Sequence, residues 1–317
     1  MTRRRDVIKA GIALAGAGTL AWAAEKSKDD VKPPPAAPLA TKPVPSTGER
    51  LAVIGVGTNN YSPTNAEERA ARREVLAGLT AAGASVIDTA PAYRQSEEVI
   101  GDLLAQIGNR KQAFIATKVT ADGKLEQGVA MIEESKRRLK TDVLDLVQIH
   151  SLNGTDVLFP HLFELKKKGQ IRYVGITTSS NSQHAAMIEV INSQPIDFVQ
   201  VDYSLANRAA ADTVLPAALA KRVGVLVNLP FGGRRDGSLF RRVANTDLPE
   251  WAAEIGARSW GQVFLKYVIS HPAVTVAIPG MTQLAHLEDN LAAGRGRMPD
   301  ASMRARMERY WDQNFDS

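Results

Sequence analysis

Asp88, Tyr93, Lys118 and His150 are side chains that exchange or stabilise protons, and each follows a short apolar run. Val86-Ile87 leads to Asp88 with Tyr93 just beyond it, 114–117 leads to Lys118, and 144–149 leads to His150. A strand buried on both faces has this pattern, and polar groups at its carboxyl end emerge from the sheet rather than being trapped within it. Three successive strands of this kind would bring a carboxylate, a phenol, an ammonium and an imidazole to one rim.

Each residue alone has a plainer reading. Asp88 suits the cap of a turn, Tyr93 a half-buried loop, Lys118 a solvated strand end and His150 a satisfied structural position. The functional reading rests on all four arriving together, which depends on the elements that carry them.

Those elements alternate throughout the chain. Strand-like runs at 51–56, 86–88, 114–117, 144–149, 171–176, 198–201, 223–229 and 274–278 are each followed by a segment of helical periodicity: 66–82, 96–107, 125–139, 158–168, 182–191, 209–222, 260–269 and 284–293. A polar amphipathic helix at 301–315 ends the series, and Gly83 and Gly169 are suitable helix stops. Eight such units over residues 50–314 are the size of a single (β/α)8 TIM barrel, an α/β fold whose active sites lie at the carboxyl ends of the strands. An open doubly wound sheet would want a glycine-rich first turn. Gly55 and Gly57 supply only a two-glycine fragment, read as a turn.

Composition narrows the chemistry. The 317 residues are 44% hydrophobic and 23% charged, enough for a sizeable core. Without any cysteine there is no disulfide, thiolate metal site or catalytic thiol, and the five histidines include no pair at metal-ligand spacing. The net charge of +5 is concentrated at the start: residues 1–23 hold three Arg, one Lys and one Asp, a balance of +3, and removing them leaves +2. The remaining basic clusters lack interleaved aromatics and read as solvated faces, so no nucleic-acid partner is expected.

The first residues read as an address. Arg3-Arg4-Arg5-Asp6-Val7-Ile8-Lys9, an apolar run over 10–20 and Ala21-Trp22-Ala23 resemble a twin-arginine export signal over 1–23, with cleavage near Ala23. The run is too short and too rich in Gly and Ala for a membrane anchor. A periplasmic or otherwise exported protein and passage through the twin-arginine (Tat) machinery follow as expectations. Prolines at 33, 34, 35, 38, 43 and 45 then suggest an extended tether over 24–49, with the folded domain, 50–317, beginning near Arg50.

Over nearly all of residues 50–314 the chain resembles an aldo-keto reductase. The resemblance is carried by Asp88-Thr89-Ala90-Pro91-Ala92-Tyr93 with Ser96-Glu97 and Gly101, Thr117-Lys118, Asp145 to His150, Gly169 to Gly175, Gln200-Val201-Asp202-Tyr203, Ile278-Pro279-Gly280, and Leu287-Glu288-Asp289-Asn290. No single piece is decisive, but their order and spacing are specific.

The resemblance implies an NAD(P)H-dependent oxidoreductase that reduces an aldehyde or ketone, a small-molecule carbonyl substrate, to an alcohol. Reduction needs a hydride on carbon and a proton on oxygen. A phenol near pKa ~10 is a poor acid-base group at neutral pH. A neighbouring cation, Lys118, is expected to lower that value, with Asp88 as the counter-ion. His150 would donate to the carbonyl oxygen as charge builds there.

For the cofactor, NADP(H) with NAD(H) as the alternative, the resemblance points to Gly57 and Thr58, and to Thr177 and Thr178 where the family usually has Ser-Asn. It points also to Gln200, to Asn228 where the family commonly has a stacking tyrosine, and to Pro230, Phe231 and Gly232. At the adenine end it points to Gly280, Met281, Thr282, His286, Asp289 and Asn290. Arg234 and Arg235 are further candidates for the pyrophosphate. Tyr61 and Leu152 are expected to form an apolar substrate wall. A second functional reading keeps the barrel but makes it a weakly catalytic or non-catalytic nicotinamide-nucleotide sensor. The protein is expected to work as a monomer.

Overall fold

The computed structural model describes residues 37–233 and 238–315. The expected tether is folded over its last part. Strands β1 (Thr41–Pro43) and β2 (Arg50–Ala52) form an antiparallel hairpin, with Lys42 opposite Leu51. Lys42 Nζ donates to the carbonyls of Ile269, His271 and Val274 at 2.8, 2.8 and 2.7 Å, where the cation meets the negative end of a helix. Val44 is fully buried, and Tyr173 donates its phenol to Glu49 at 2.5 Å. A Pro-, Lys- and Ala-rich composition conceals this docking because it depends on a few single-residue anchors, not on a hydrophobic stretch.

Strands β3 (Val56–Gly57), β4 (Val86–Asp88), β5 (Phe114–Val119), β6 (Leu144–His150), β7 (Ile171–Thr177), β8 (Phe198–Asp202), β9 (Gly224–Asn228) and β10 (Val276–Ala277) pair in parallel in sequential order. Bridges between Ile54 and Ala277 and between Gly57 and Gly280 close the circle, giving the (β/α)8 barrel. A Cβ on Gly57 would lie 2.7 Å from the Ile278 carbonyl oxygen, so the seam closes tightly only on glycine.

The connecting helices are α1 (Ala66–Ala81), α2 (Ser96–Ile107), α3 (Leu125–Leu139), α4 (Thr155–Lys167), α5 (His184–Ser193), α6 (Ala209–Asp212), α7 (Val214–Lys221), α8 (Leu239–Arg242), α9 (Trp260–Ile269) and α10 (Leu284–Ala293); α11 (Ala301–Phe315) follows them. α1 is capped reciprocally: Glu68 N donates to Asn65 Oδ1 at 2.8 Å, and Thr64 N donates to Glu68 Oε2 at 2.9 Å. Two expected boundaries move. The helix expected at 158–168 begins at Thr155, ahead of Pro160, and the one expected over 209–222 breaks at Thr213, whose φ and ψ of −128° and −80° are not helical. The first expected strand also divides, 50–52 going to the hairpin and only 56–57 to the barrel.

Side chains on a strand alternate between faces, and this alternation builds the barrel interior. Val44, Val86, Phe114, Leu146, Tyr173, Phe198 and Leu226 form an apolar cluster separate from the larger core between strands and helices. Two residues further along the same inward faces come Asp88, Ala116, Gln148, Gly175, Gln200 and Asn228, and beyond these Lys118, His150, Thr177 and Asp202. The interior therefore passes from hydrocarbon at the amino-terminal end to polar groups at the carboxyl-terminal mouth. Gly175 makes room for this layer, since a Cβ there would stand 3.1 Å from Gln148 Cγ.

Candidate active site

Lys118 ends its climb inside the barrel with Nζ 2.7 Å from Asp88 Oδ2 and 2.8 Å from the Thr89 carbonyl. Asp88 and Lys118 are 3% and 1% exposed, so the pair is held out of water. The other carboxylate oxygen of Asp88 accepts from Gln200 Nε2 at 2.6 Å and from Gln148 Nε2 at 3.5 Å. Satisfying both oxygens is what makes a buried carboxylate tolerable.

Tyr93 comes from the turn after β4. That turn is fixed from below: Thr58 Oγ1 donates to the Asp88 carbonyl at 2.7 Å, Ser96 Oγ donates to the Thr58 carbonyl at 2.9 Å, and Thr89 and Ser96 share a hydroxyl contact at 3.0 Å. The Tyr93 ring lies with its centroid 4.7 Å from Lys118 Nζ and meets the His150 ring edge-on, centroids 6.3 Å apart. Phenol, ammonium, carboxylate and imidazole thus share one mouth.

Their electrostatics follow from burial and from one another. Burial pulls the Lys118 ammonium down, but the charges of Asp88 and Tyr93 outweigh it and the pKa stands above the ordinary lysine value. For Tyr93, burial raises the phenol, Lys118 lowers it and Asp88 raises it, with a net upward shift. The expected net lowering is thereby corrected: the cation acts in the expected direction, and removal from water outweighs it. The result suits a proton donor, because the phenol keeps its proton across the neutral range. His150 is drawn down to about 4, first by burial and then by the Lys118 charge, with Asp88 opposing. It is a neutral imidazole at the mouth.

Beside these groups Thr177 Oγ1 donates to Gln200 Oε1 at 3.1 Å, and Asn228 Nδ2 donates to the Thr178 carbonyl at 3.2 Å and to Gln200 Oε1 at 3.4 Å. Asn228 Oδ1 is buried without a hydrogen-bond partner. A cavity of about 350 Å³ opens onto Tyr93, His150, Thr177, Gln200, Asp202 and Asn228. A second, of about 220 Å³, continues past Asn228 to Pro230, Phe231, Gly232, Gly57, Thr58 and Gly280. Tyr93, Gln200 and Asn228 belong to both walls, which makes them one groove. A nicotinamide carboxamide fits its inner end, because the orphaned Asn228 acceptor is the group such an amide N–H would satisfy.

Several expected site residues lie elsewhere. Tyr61 is wholly buried in the core, its phenol pushed well up by burial, and forms no substrate wall. Leu152 packs half-buried against the core, leaving its neighbour Ser151 to face the cavity. Thr178 turns its hydroxyl into its own loop, accepting from Ser180 N at 3.0 Å, and reaches the site only through its carbonyl. Met281 and Asn290 are buried, and His286 is exposed on α10 outside both cavities. Asp289 is committed to the start of α9, accepting from Ser259 Oγ at 2.9 and 2.8 Å and from Gln262 Nε2 at 2.7 Å. Thr282 lines a third cavity, which shares Asn59 with the second. Arg234 and Arg235 lie outside the described residues.

Sequence reasoning missed Gln148, Ser179, Ser180, Asn181, Asp202, Asn207, Leu229 and Gly233. Two of them carried a signal: Gln148 precedes His150 by two residues and Asp202 follows Gln200 by two, so each shares an expected site residue's inward face. The rest come from loops, whose side chains no periodicity locates.

Residues 53–309 match the model of the aldo/keto reductase family. The aldo-keto reductase YhdN of Bacillus subtilis is 32% identical over 204 residues, a match covering 58% of this chain and 60% of that protein, less than two thirds of its length. The methylglyoxal reductase YeaE of Escherichia coli is 29% identical over 253 residues, covering 76% of this chain and 85% of that protein. The crystal structure of an aldo/keto reductase from Klebsiella pneumoniae in complex with NADP and acetate superimposes with a TM-score of 0.68 at 25% identity, over 83% of this chain and 93% of that one. The closed barrel, the polar layer at its mouth and the family match coincide over the same residues: the chain belongs to the aldo/keto reductase family.

Proposed function

We propose that this protein reduces an aldehyde or ketone to an alcohol with NADPH, Tyr93 giving the proton. The carrying observation is the Lys118 ammonium, placed between a buried carboxylate and the Tyr93 ring at the wall of an open groove. A related structure of the same family that holds NADP supports the choice of cofactor. When bound in this groove, a reduced nicotinamide would supply the hydride that the carbonyl carbon needs. The chain's own groups do the remainder. Gln200 and Asn228 offer the amide contacts that hold a carboxamide, and neutral His150 donates to the substrate oxygen as it gains charge. Tyr93 passes its phenolic proton to that oxygen, and Lys118 stabilises the phenolate left behind.

Titrating the protein with NADPH and NADH by fluorescence, then following absorbance loss with a panel of small aldehydes, tests this reading. Binding followed by turnover is expected. Binding without turnover would support the sensing barrel instead, and no binding would reject both.

The pH profile gives a further expected result. Because His150 stays neutral down to about 4, kcat/KM for reduction should be flat through 6.5, the ordinary imidazole value, and turn down only towards the lower figure. The unfolded chain takes up that proton near 6.5 and the folded chain only near 4. Stability should therefore fall as pH drops across this window, with His271, also held down to about 4 by burial, adding to the slope. A rate step centred near 6.5 would rule out the neutral-donor role.

The export signal expected over 1–23 lies outside the described residues, as does the expected tether up to residue 36. We propose that the folded barrel, with its cofactor taken up inside the cell, passes through the twin-arginine machinery and works outside the cytoplasm as a monomer. The arginine run and the apolar stretch that follows support this reading, and among the described residues no helix is long and apolar enough to cross a membrane. In cell fractionation, replacing Arg3, Arg4 and Arg5 with Lys should retain the protein in the cytosol; unchanged distribution would reject the signal.

A further inference from the structure

The third cavity, of about 300 Å³, opens beside the turn after β3 and the turn that carries Tyr93, and Asn59, Asn60, Ser62, Arg72, Arg94 and Thr282 line it. All of these residues are polar, two are cations and none is an acid. Arg72 projects from α1 and is only 8% exposed. Its hydrogen bonding is poor for a buried cation. Nε has no partner, and the two terminal nitrogens reach the Thr282 and Asn60 carbonyls at 3.4 and 3.5 Å, the limit of a useful bond. The carboxylate within ion-pair reach, Glu68, stands 3.9 Å away and already accepts from Thr64 N at 2.9 Å. A guanidinium offers five donors in a rigid fork. Burying it with those donors largely unanswered is costly unless an anion completes the site.

Another part of the wall belongs to the turn that presents the general acid. Arg94 directly follows Tyr93, is exposed, and makes no side-chain hydrogen bond or ion pair among the described residues. Its φ of 55° lies in the left-handed region, so the turn holds an arginine where glycine would sit without strain. Ser62 joins the cavity to the same turn, donating to the Tyr93 carbonyl at 3.3 Å and accepting from Gln95 N at 3.2 Å. We propose that this cavity binds a phosphate-type oxyanion, Arg72 pairing with two of its oxygens and Arg94 reaching it from the Tyr93 turn. An ion held there ties that turn to α1, which makes Arg94 a positioning residue for Tyr93. Two sources offer this chemistry: inorganic phosphate from solution, or a phosphate ester carried by the carbonyl substrate. The site itself stands apart from the reductase reading, and its effect on turnover rests on that reading.

The test is calorimetric titration of inorganic phosphate into wild type, Arg72→Met, Arg94→Gly and Arg94→Lys, with and without saturating NADPH. Wild type should bind phosphate equally well in both conditions. Arg72→Met should weaken binding about tenfold or more and Arg94→Gly several-fold, with Arg94→Lys recovering part of the loss. Glycine suits the backbone at 94, so Arg94→Gly should fold even if the buried substitution does not, yet lose most of the rise in Tm that phosphate gives wild type. Rates with glyceraldehyde and glyceraldehyde 3-phosphate distinguish the sources. An ion from solution should raise kcat for glyceraldehyde about twofold or more in wild type but not in Arg72→Met or Arg94→Gly. A substrate ester should instead give the phosphorylated aldehyde a KM about tenfold lower, lost in the same variants, with free phosphate competing. No phosphate binding, or equal binding by wild type, Arg72→Met and Arg94→Gly, would overturn the site. So would competition between phosphate and NADPH, since the ion would then be standing in for part of the cofactor. Arginine-dependent phosphate binding without turnover of either aldehyde would uphold the site and count against the reductase reading.

Discussion

Tyr93→Phe is expected to lower the turnover of carbonyl reduction by about 10² to 10⁴, the range a lost general acid costs. NADPH affinity and folding should change little. The ring would still meet His150 edge-on and lie over the Lys118 ammonium, since both contacts belong to the ring and not to the hydroxyl. What is removed is the proton for the developing alkoxide, together with the hydroxyl's hydrogen bond to Lys118. Water is a poor replacement, because a donor must wait at the substrate oxygen and Tyr93 occupies that wall of the cavity. A rate within threefold of wild type, measured under saturating NADPH with the same aldehyde, would eliminate Tyr93 as the acid. Equal losses in cofactor affinity and rate would make it a binding residue instead.

The four groups on which this depends were legible because apolar runs ending in a polar residue mark strand ends, and the barrel rule collects strand ends at one mouth. The sense of the Tyr93 shift was not. Sequence names the neighbouring cation but not the depth at which the phenol sits, and depth decided the balance. The barrel strands were located closely except at the seam. There the run 51–56 serves two structures, and β3 and β10 are two residues each, too short for any periodicity to register.

The adenine end shows a different limit. Position along the chain placed Asp289 and Asn290 near the cofactor, yet Asp289 spends its carboxylate on Ser259 and Gln262 at the start of α9. A residue's partners are set by the packing of α10 on α9, which a linear pattern does not encode. Arg72 was overlooked for the complementary reason. On an α1 otherwise rich in charge it reads as one more solvated arginine, and its placement against the Asn60 and Thr282 carbonyls, the second 210 residues away, is what takes it out of solvent. Inward alternation, by contrast, was present in the sequence: Phe114, Ala116 and Lys118, or Leu146, Gln148 and His150, share a face by simple counting. In strands buried on both sides the outward residues are also apolar, so hydropathy hides the period that would have exposed Gln148.

Lys118→Met should be the most damaging single change to both stability and rate, and a second substitution should separate the two. The ammonium and the Asp88 carboxylate are 2.7 Å apart with side chains 1% and 4% exposed. Removing one member of such a pair leaves a buried charge uncompensated, at a cost of about 3–5 kcal/mol. That is a large part of the ~5–15 kcal/mol that holds a typical domain together. Gln200 and Gln148 would still donate to Asp88 Oδ1, but neutral amides cannot replace the cation on Oδ2. The Lys118→Met/Asp88→Asn double variant removes both charges while keeping similar shapes, so urea unfolding should show most of the lost stability restored. Activity should not return, because the phenolate formed at Tyr93 would have no cation beside it. If the double variant were as unstable as the single one, the pair would not be held together by charge. If either variant kept wild-type turnover, Lys118 would be a packing residue and the stabilisation of the Tyr93 phenolate proposed for this mouth would have to be assigned to another group.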